Sequence, residues 1–128
     1  MQLGLAAWHR AMLAGCPEDM LAELVADDAV FHSPVLQTPQ TGREAVLLHL
    51  TAACRTLRQT RFAYVRELTD GHEAALEFDA MLDGVTVNGV HLLRFDLEGR
   101  IVDFKVMVRP FAAADLLWRK MAEALEDG

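Results

Sequence analysis

The chain has 128 residues, 52% of them apolar and 24% charged, with 19 Asp and Glu against 12 Lys and Arg for a formal net charge of -7. A chain of this length hides roughly two thirds of the surface its unfolded form exposes, enough for one core without a metal or a disulfide framework. The acid excess argues against nucleic acid and anionic membrane as partners, since both call for clustered basic surface. No apolar run approaches the roughly 18 residues of a membrane-spanning helix, and the N-terminus lacks the basic and apolar stretches of a secretory signal. The expectation is a cytoplasmic protein. Cys16 and Cys54 are read as thiols of a reduced compartment, because they form no metal-type pair and a disulfide framework needs more of them.

Leu5, Trp8 and Met12 recur at steps of three and four and predict one face of a first helix, ended by Gly15. Pro17 opens a second helix, with Glu18 and Asp19 at its positive end and Met20, Leu21, Leu24 and Val25 as its buried stripe. Asp27 and Asp28 read as a loop and cap pair before a short strand, Ala29 to Ser33, closed by Pro34. Gln37 to Gly42 reads as a loop. Thr41 and Glu44 have capping-box spacing for a third helix, carried by Val46, Leu47, Leu50, Cys54 and Leu57.

From about residue 61 the period changes to two. Leu76, Phe78, Ala80 and Leu82 alternate with Glu77, Asp79 and Asp83, giving a dry face and a wet one. Asp70-Gly71, Asp83-Gly84 and Glu98-Gly99 mark turns, with strand-like runs at Val87 to Phe95 and Arg100 to Arg109, so four consecutive antiparallel strands are predicted. Pro110 stops the last. Ala114, Leu117, Trp118, Met121 and Leu125 then form the stripe of a short C-terminal helix. Helices first and a strand meander afterwards predict one α+β domain over residues 1–128, a curved, mostly antiparallel sheet wrapped around the N-terminal helices. Such a sheet leaves a cavity between itself and the helices, the usual form of a small-molecule site.

Ala26-Asp27-Asp28-Ala29, Ser33-Pro34-Val35, Pro39 and Gly42, with Arg94-Phe95 and Gly99-Arg100-Ile101 later, resemble the nuclear transport factor 2-like superfamily. That group includes ketosteroid isomerases, SnoaL-type polyketide cyclases, limonene epoxide hydrolases and scytalone dehydratases. The resemblance spans nearly the whole chain and implies a cone-shaped α+β barrel, while leaving the chemistry open because this fold hosts unrelated activities. In ketosteroid isomerases an Asp general base stands immediately before the Pro that follows the first strand. Ser33 stands there in this sequence, and a hydroxyl takes no proton from carbon unless another base activates it. The protonated Asp of the isomerase oxyanion hole matches His91, and the oxyanion-hole Tyr matches Trp8 or His9. The isomerase triad is therefore absent as such.

His91 alternates in phase with Gly89, Leu93 and Phe95, which sets an imidazole among apolar neighbours, where desolvation disfavours the charged form and leaves a neutral acid/base group. Its plainer reading is a buried histidine satisfied by one hydrogen bond. Ser33 and Trp8 are candidate polar donors, although Ser33 also reads as a strand-end hydroxyl bonded to backbone. His32 points to the face opposite Ser33, His9 enters the cavity only if the first helix is rotated, and His49 and His72 read as solvated. No histidine pair has metal spacing, so neither metal nor cofactor is expected. Arg94, Asp103 and Arg109 fall on the outer face and are candidates for cross-strand pairs. The cavity walls expected are Met12, Leu76, Phe78, Ala80, Leu93, Phe95, Phe104 and Val106.

These readings favour a small-molecule pocket protein for an apolar, cyclic or lipid-like ligand, with weak proton-transfer or dehydration chemistry at His91. Two alternatives stay open: a non-catalytic binding or dimerisation module, and a hydrolase or cyclase with another site. Met81, Leu92, Val102 and Met107 on the outer face, together with the resemblance, lead to the expectation of a two-fold homodimer.

Overall fold

The computed structural model describes residues 3–34, 36–58 and 61–127, so Val35 of the motif noted above lies outside the described residues. Helices α1 (Leu3–Leu13) and α2 (Glu18–Leu24) lead into strand β1 (Val25–His32), the two-residue β2 (Gln40–Thr41) and helix α3 (Arg43–Arg58). Strands β3 (Ala63–Asp70), β4 (Glu73–Leu82), β5 (Val85–Phe95) and β6 (Ile101–Arg109) follow, then helix α4 (Phe111–Asp127). The strands form one curved, unclosed, mixed sheet in the order β2-β1-β6-β5-β4-β3. The four later strands pair antiparallel as the alternation predicts, whereas β1 joins the sheet parallel to β6.

The alternation sorts side chains as hydrophobic burial requires. Ala74, Leu76, Phe78, Ala80 and Leu82 are buried on β4, and Val87, His91, Leu93 and Phe95 on β5. They face Trp8, Val46, Leu50, Leu57 and Leu117 of the helices in one core. Asp83 and Gly84 both take left-handed backbone, with φ of 49° and 80°, the conformation of a two-residue hairpin turn. Gly89 is required for a different reason. A Cβ there would lie 2.5 Å from the Phe78 ring and 2.7 Å from the Met107 carbonyl oxygen, so only hydrogen fits between β4 and β6.

Several local expectations are corrected. Strand β1 begins at Val25, so Asp27 and Asp28 are exposed strand residues rather than a loop, and they fall where the β1–β6 register shifts between Val25 and Val30. Thr41 belongs to β2, and the Gly42 carbonyl accepts the first helical bond of α3 from Val46 N–H at 3.0 Å, which displaces the Thr41/Glu44 capping box by one residue. On α4 the buried stripe is Ala113, Leu117 and Met121, while Trp118 is 42% exposed. Cys16 and Cys54 are joined as a disulfide, not free thiols. The tertiary fold brings the turn after α1 against α3, a proximity across 38 residues that spacing alone did not reveal.

Candidate functional site

The inner face of the sheet sets a buried titratable side chain among apolar residues. His91 on β5 is 5% exposed and stands opposite Leu76 of β4 and Val106 of β6. Five aromatic rings surround it: Phe78 at 4.7 Å between centroids, Phe104 at 5.0 Å, Tyr64 at 5.7 Å, and Phe62 and Trp8 at 6.1 Å. Removal from water lowers its pKa to about 3, so the imidazole is neutral throughout the physiological range.

Tyr64 links this imidazole to the first helix. Trp8 Nε1–H donates to the Tyr64 hydroxyl oxygen at 2.9 Å, and that oxygen lies 2.7 Å from His91 Nδ1. An indole nitrogen can only donate, so the tyrosine oxygen accepts from Trp8 and its own O–H is free to donate to Nδ1. Satisfying both bonds assigns the His91 proton to Nε2 and makes that atom the donor left for a further partner. Burial holds the Tyr64 phenol protonated, with its pKa well above the ordinary range, an effect that the Trp8 bond opposes and the Glu67 charge reinforces.

The register of β3 explains how Tyr64 reaches the inner face. Tyr64 pairs with Phe78, but Arg66 pairs with Glu77, because the register shifts between them. Opposed residues in a ladder share a face. The bulge therefore turns Tyr64 inward while Arg66, only two positions on, lies outward at 3.2 Å from Glu77. At the surface next to Tyr64, His9 Nε2–H donates to Glu67 at 2.7 Å, and the His9 ring meets the Tyr64 ring edge-on at 5.6 Å. This bridge ties α1 to β3 beside the buried relay.

The expected site residues do not all converge. Trp8 is fully buried and spends its N–H on Tyr64. Ser33 lies half-buried just beyond β1 and has a partner of its own. Leu76, Phe78, Ala80, Leu93, Phe95, Phe104 and Val106 are all buried in the core, and Met12 packs at its margin. His32 donates to Asp103 at 3.2 Å, Arg94 pairs with Glu73 at 3.1 Å, and Arg94 and Asp103 stand opposite one another in register. His49 is not solvated as expected: it is half-buried, its Nδ1–H donates to the Ala45 carbonyl at 3.0 Å, and its ring lies edge-on to Phe31. Tyr64 and Phe62 were missed. The signal available was the only tyrosine of the chain, two residues from a phenylalanine at the start of a strand.

Two open grooves lie on the other side of the sheet. One, of about 450 Å³, runs over Leu68, Glu77, Asn88, Val90 and Met107, and the second, of about 390 Å³, over Thr69, Leu92, Arg94, Asp103 and Lys105. Asn88 crosses the first as a hub, donating to Glu77 at 3.0 Å and to Asp79 at 2.8 Å.

The fold has counterparts among solved structures. A steroid delta-isomerase from Pseudomonas aeruginosa superposes with a TM-score of 0.89 at 35% identity, over 97% of this chain and 90% of that one. An uncharacterized protein with a cystatin-like fold from Silicibacter pomeroyi does so at 0.86 and 27% identity, over 96% and 85%. An epoxide hydrolase/cyclase-like enzyme of pyran ring formation in salinomycin, at 20% identity, 0.65 and 83% and 88% coverage, shares the fold. No curated protein matches the chain. Residues 5–104, which hold Trp8, Tyr64, His91 and five of the six strands entire, match the SnoaL-like domain, and the chain belongs to that family.

Proposed function

We propose that the chain binds a small, largely apolar molecule bearing a carbonyl or hydroxyl oxygen, and that neutral His91 offers this oxygen its Nε2–H. The observation that carries the reading is the Trp8–Tyr64–His91 relay, which occupies Nδ1 and leaves Nε2 as a donor. Core positions carry such a network at high cost unless every member is satisfied. A neutral imidazole aimed at a carbonyl stabilises negative charge that develops on the oxygen, and so favours proton transfer on the adjacent carbon or loss of water from it. His91 in this tautomer is an electrophilic donor rather than a base. The residue before Pro34 is Ser33, which supports binding with carbonyl polarisation over isomerisation by a carboxylate.

Similarity to a steroid delta-isomerase at 35% identity supports a rigid polycyclic ligand. Leu76, Phe78, Leu93, Phe104 and Val106 supply apolar walls of the matching chemistry. Phe62 is the ring that gives way: it is half-buried, precedes the edge strand β3, and stacks on both Phe78 and His91 as a planar ligand would. The test is the ultraviolet band of a conjugated steroidal enone, which moves to longer wavelength when its carbonyl accepts a strong hydrogen bond. The wild-type chain shifts the band and His91→Phe binds without the shift. If the wild-type chain binds neither this enone nor simpler apolar ketones, the reading fails.

The outer face favours a second role beside the first, pairing of two copies. Met81 and Met107 are 43% and 47% exposed there, with Val65 and Leu68 also exposed on the edge strand β3. Sedimentation of the wild-type chain against Met107→Glu decides it, a dimer becoming a monomer.

A further inference from the structure

Away from His91, three sulfur atoms from three separate segments meet beneath the helices. Cys16 and Cys54 are disulfide-bonded, and Met12 Sδ lies 3.3 Å from Cys54 Sγ and 3.8 Å from Cys16 Sγ. Met12 belongs to the last turn of α1, Cys16 to the connection after it, and Cys54 to α3. The backbone bends to arrange this. Cys16 is fully buried with φ of 56°, a left-handed conformation that is unfavourable for a residue with a Cβ and persists where surroundings impose it. Its N–H closes the end of α1 on the Ala11 carbonyl at 2.9 Å, which fixes the direction of the side chain.

We propose that the chain, once the disulfide is reduced, binds one Cu(I) ion through Cys16 Sγ, Cys54 Sγ and Met12 Sδ. Two thiolates and a thioether are a soft donor set, which Cu(I) accepts and hard cations refuse. Zinc closes its structural sites with four ligands drawn from Cys, His and carboxylates. Among the described residues no third Cys, His, Asp or Glu stands close enough to the two cysteines to complete such a site. The donors thus stop at three sulfurs, matching a three-coordinate soft ion.

The two states exclude each other. Two equivalents of a low-molecular-weight thiol reduce the disulfide by exchange, leaving two protein thiols and one small-molecule disulfide. Cu(I) then displaces the two thiol protons and keeps its charge, so metal uptake itself transfers no electron. Reoxidation by a small-molecule disulfide returns the protein disulfide and expels the ion. The site is separate from the His91 relay, so its fate does not depend on the function proposed above.

The experiment uses the full chain, reduced with a phosphine, desalted without oxygen and titrated with Cu(I) held by bicinchoninate. The reduced protein is expected to withdraw one equivalent and the oxidised protein none. X-ray absorption at the copper edge should show sulfur neighbours only. Met12→Leu keeps side-chain volume and both cysteines, and should weaken binding at least tenfold with circular dichroism unchanged. Cys54→Ser should abolish the one-equivalent uptake. The proposal is overturned if the reduced, folded chain leaves copper with bicinchoninate, or if reduction itself unfolds the chain. Wild-type affinity in Met12→Leu, or nitrogen and oxygen neighbours around the metal, overturns it too.

Discussion

The two faces of strands β4 and β5 are built from alternate residues of the same sequence, yet polar groups live by opposite rules on them. On the outer face Arg94 and Glu73, Arg66 and Glu77, and Asn88 with its two carboxylates are exposed or half-exposed, and water can replace any partner. Each such pair is worth little. On the inner face the His91 imidazole has a single hydrogen-bonded partner among the described residues, Tyr64, which is held by Trp8. There a lost partner leaves a desolvated polar atom, and the cost is that of the orphan rather than of the bond. The difference shows why three polar groups, Tyr64 and His91 on the inner face and Trp8 on the helix against it, bear more on function than the many charges outside.

The largest effect that separates the faces is the acid limb of stability. The folded pKa of His91 lies near 3, below the unfolded value near 6.5, so the unfolded chain takes up the extra proton in that window. Stability from this group is fully present above pH 6.5 and is lost as pH falls toward 3, by about 4–5 kcal/mol in total. The stabilities of wild type and His91→Phe from denaturant melts should diverge by this amount in total across that range; parallel curves would place His91 in contact with water.

Next in size, Gly89→Ala forces a methyl group against the Phe78 ring and a backbone carbonyl, and should cost about 1–3 kcal/mol or more by chemical denaturation. Tyr64→Phe removes one oxygen but strands both the Trp8 N–H and His91 Nδ1. We expect a loss of about 1–3 kcal/mol and a changed Trp8 emission, and a neutral result would show that the relay carries no energy. Arg94→Ala outside should stay within about 1 kcal/mol. If it equals Tyr64→Phe, the contrast between the faces collapses.

The alternation of β4 and β5 was legible because half-buried antiparallel strands write their two environments directly into a period of two. His91 could be assigned to the inner face for that reason, and Glu77 and Asp79 to the outer one. Tyr64 could not, since the register shift after it breaks the period at the point where it turns inward. The parallel seat of β1 beside β6 was equally hidden, because β1 is paired with a strand some seventy residues on and its local pattern is interrupted by the irregularity at Asp27 and Asp28.

By itself, then, the sequence determined the order of the helices and the five longer strands, the dry and wet faces of the meander and the placement of one imidazole among apolar neighbours, all of which follow from near-neighbour periodicity and hydrophobic burial. Only the tertiary structure decided which groups meet: Trp8, Tyr64 and His91 from a helix and two strands, and Met12, Cys16 and Cys54 at the helical end of the core. The tautomer of His91 and the pairing of the sulfurs depend on distances across 27 to 56 residues and across 38, and no local rule of chain geometry sets those.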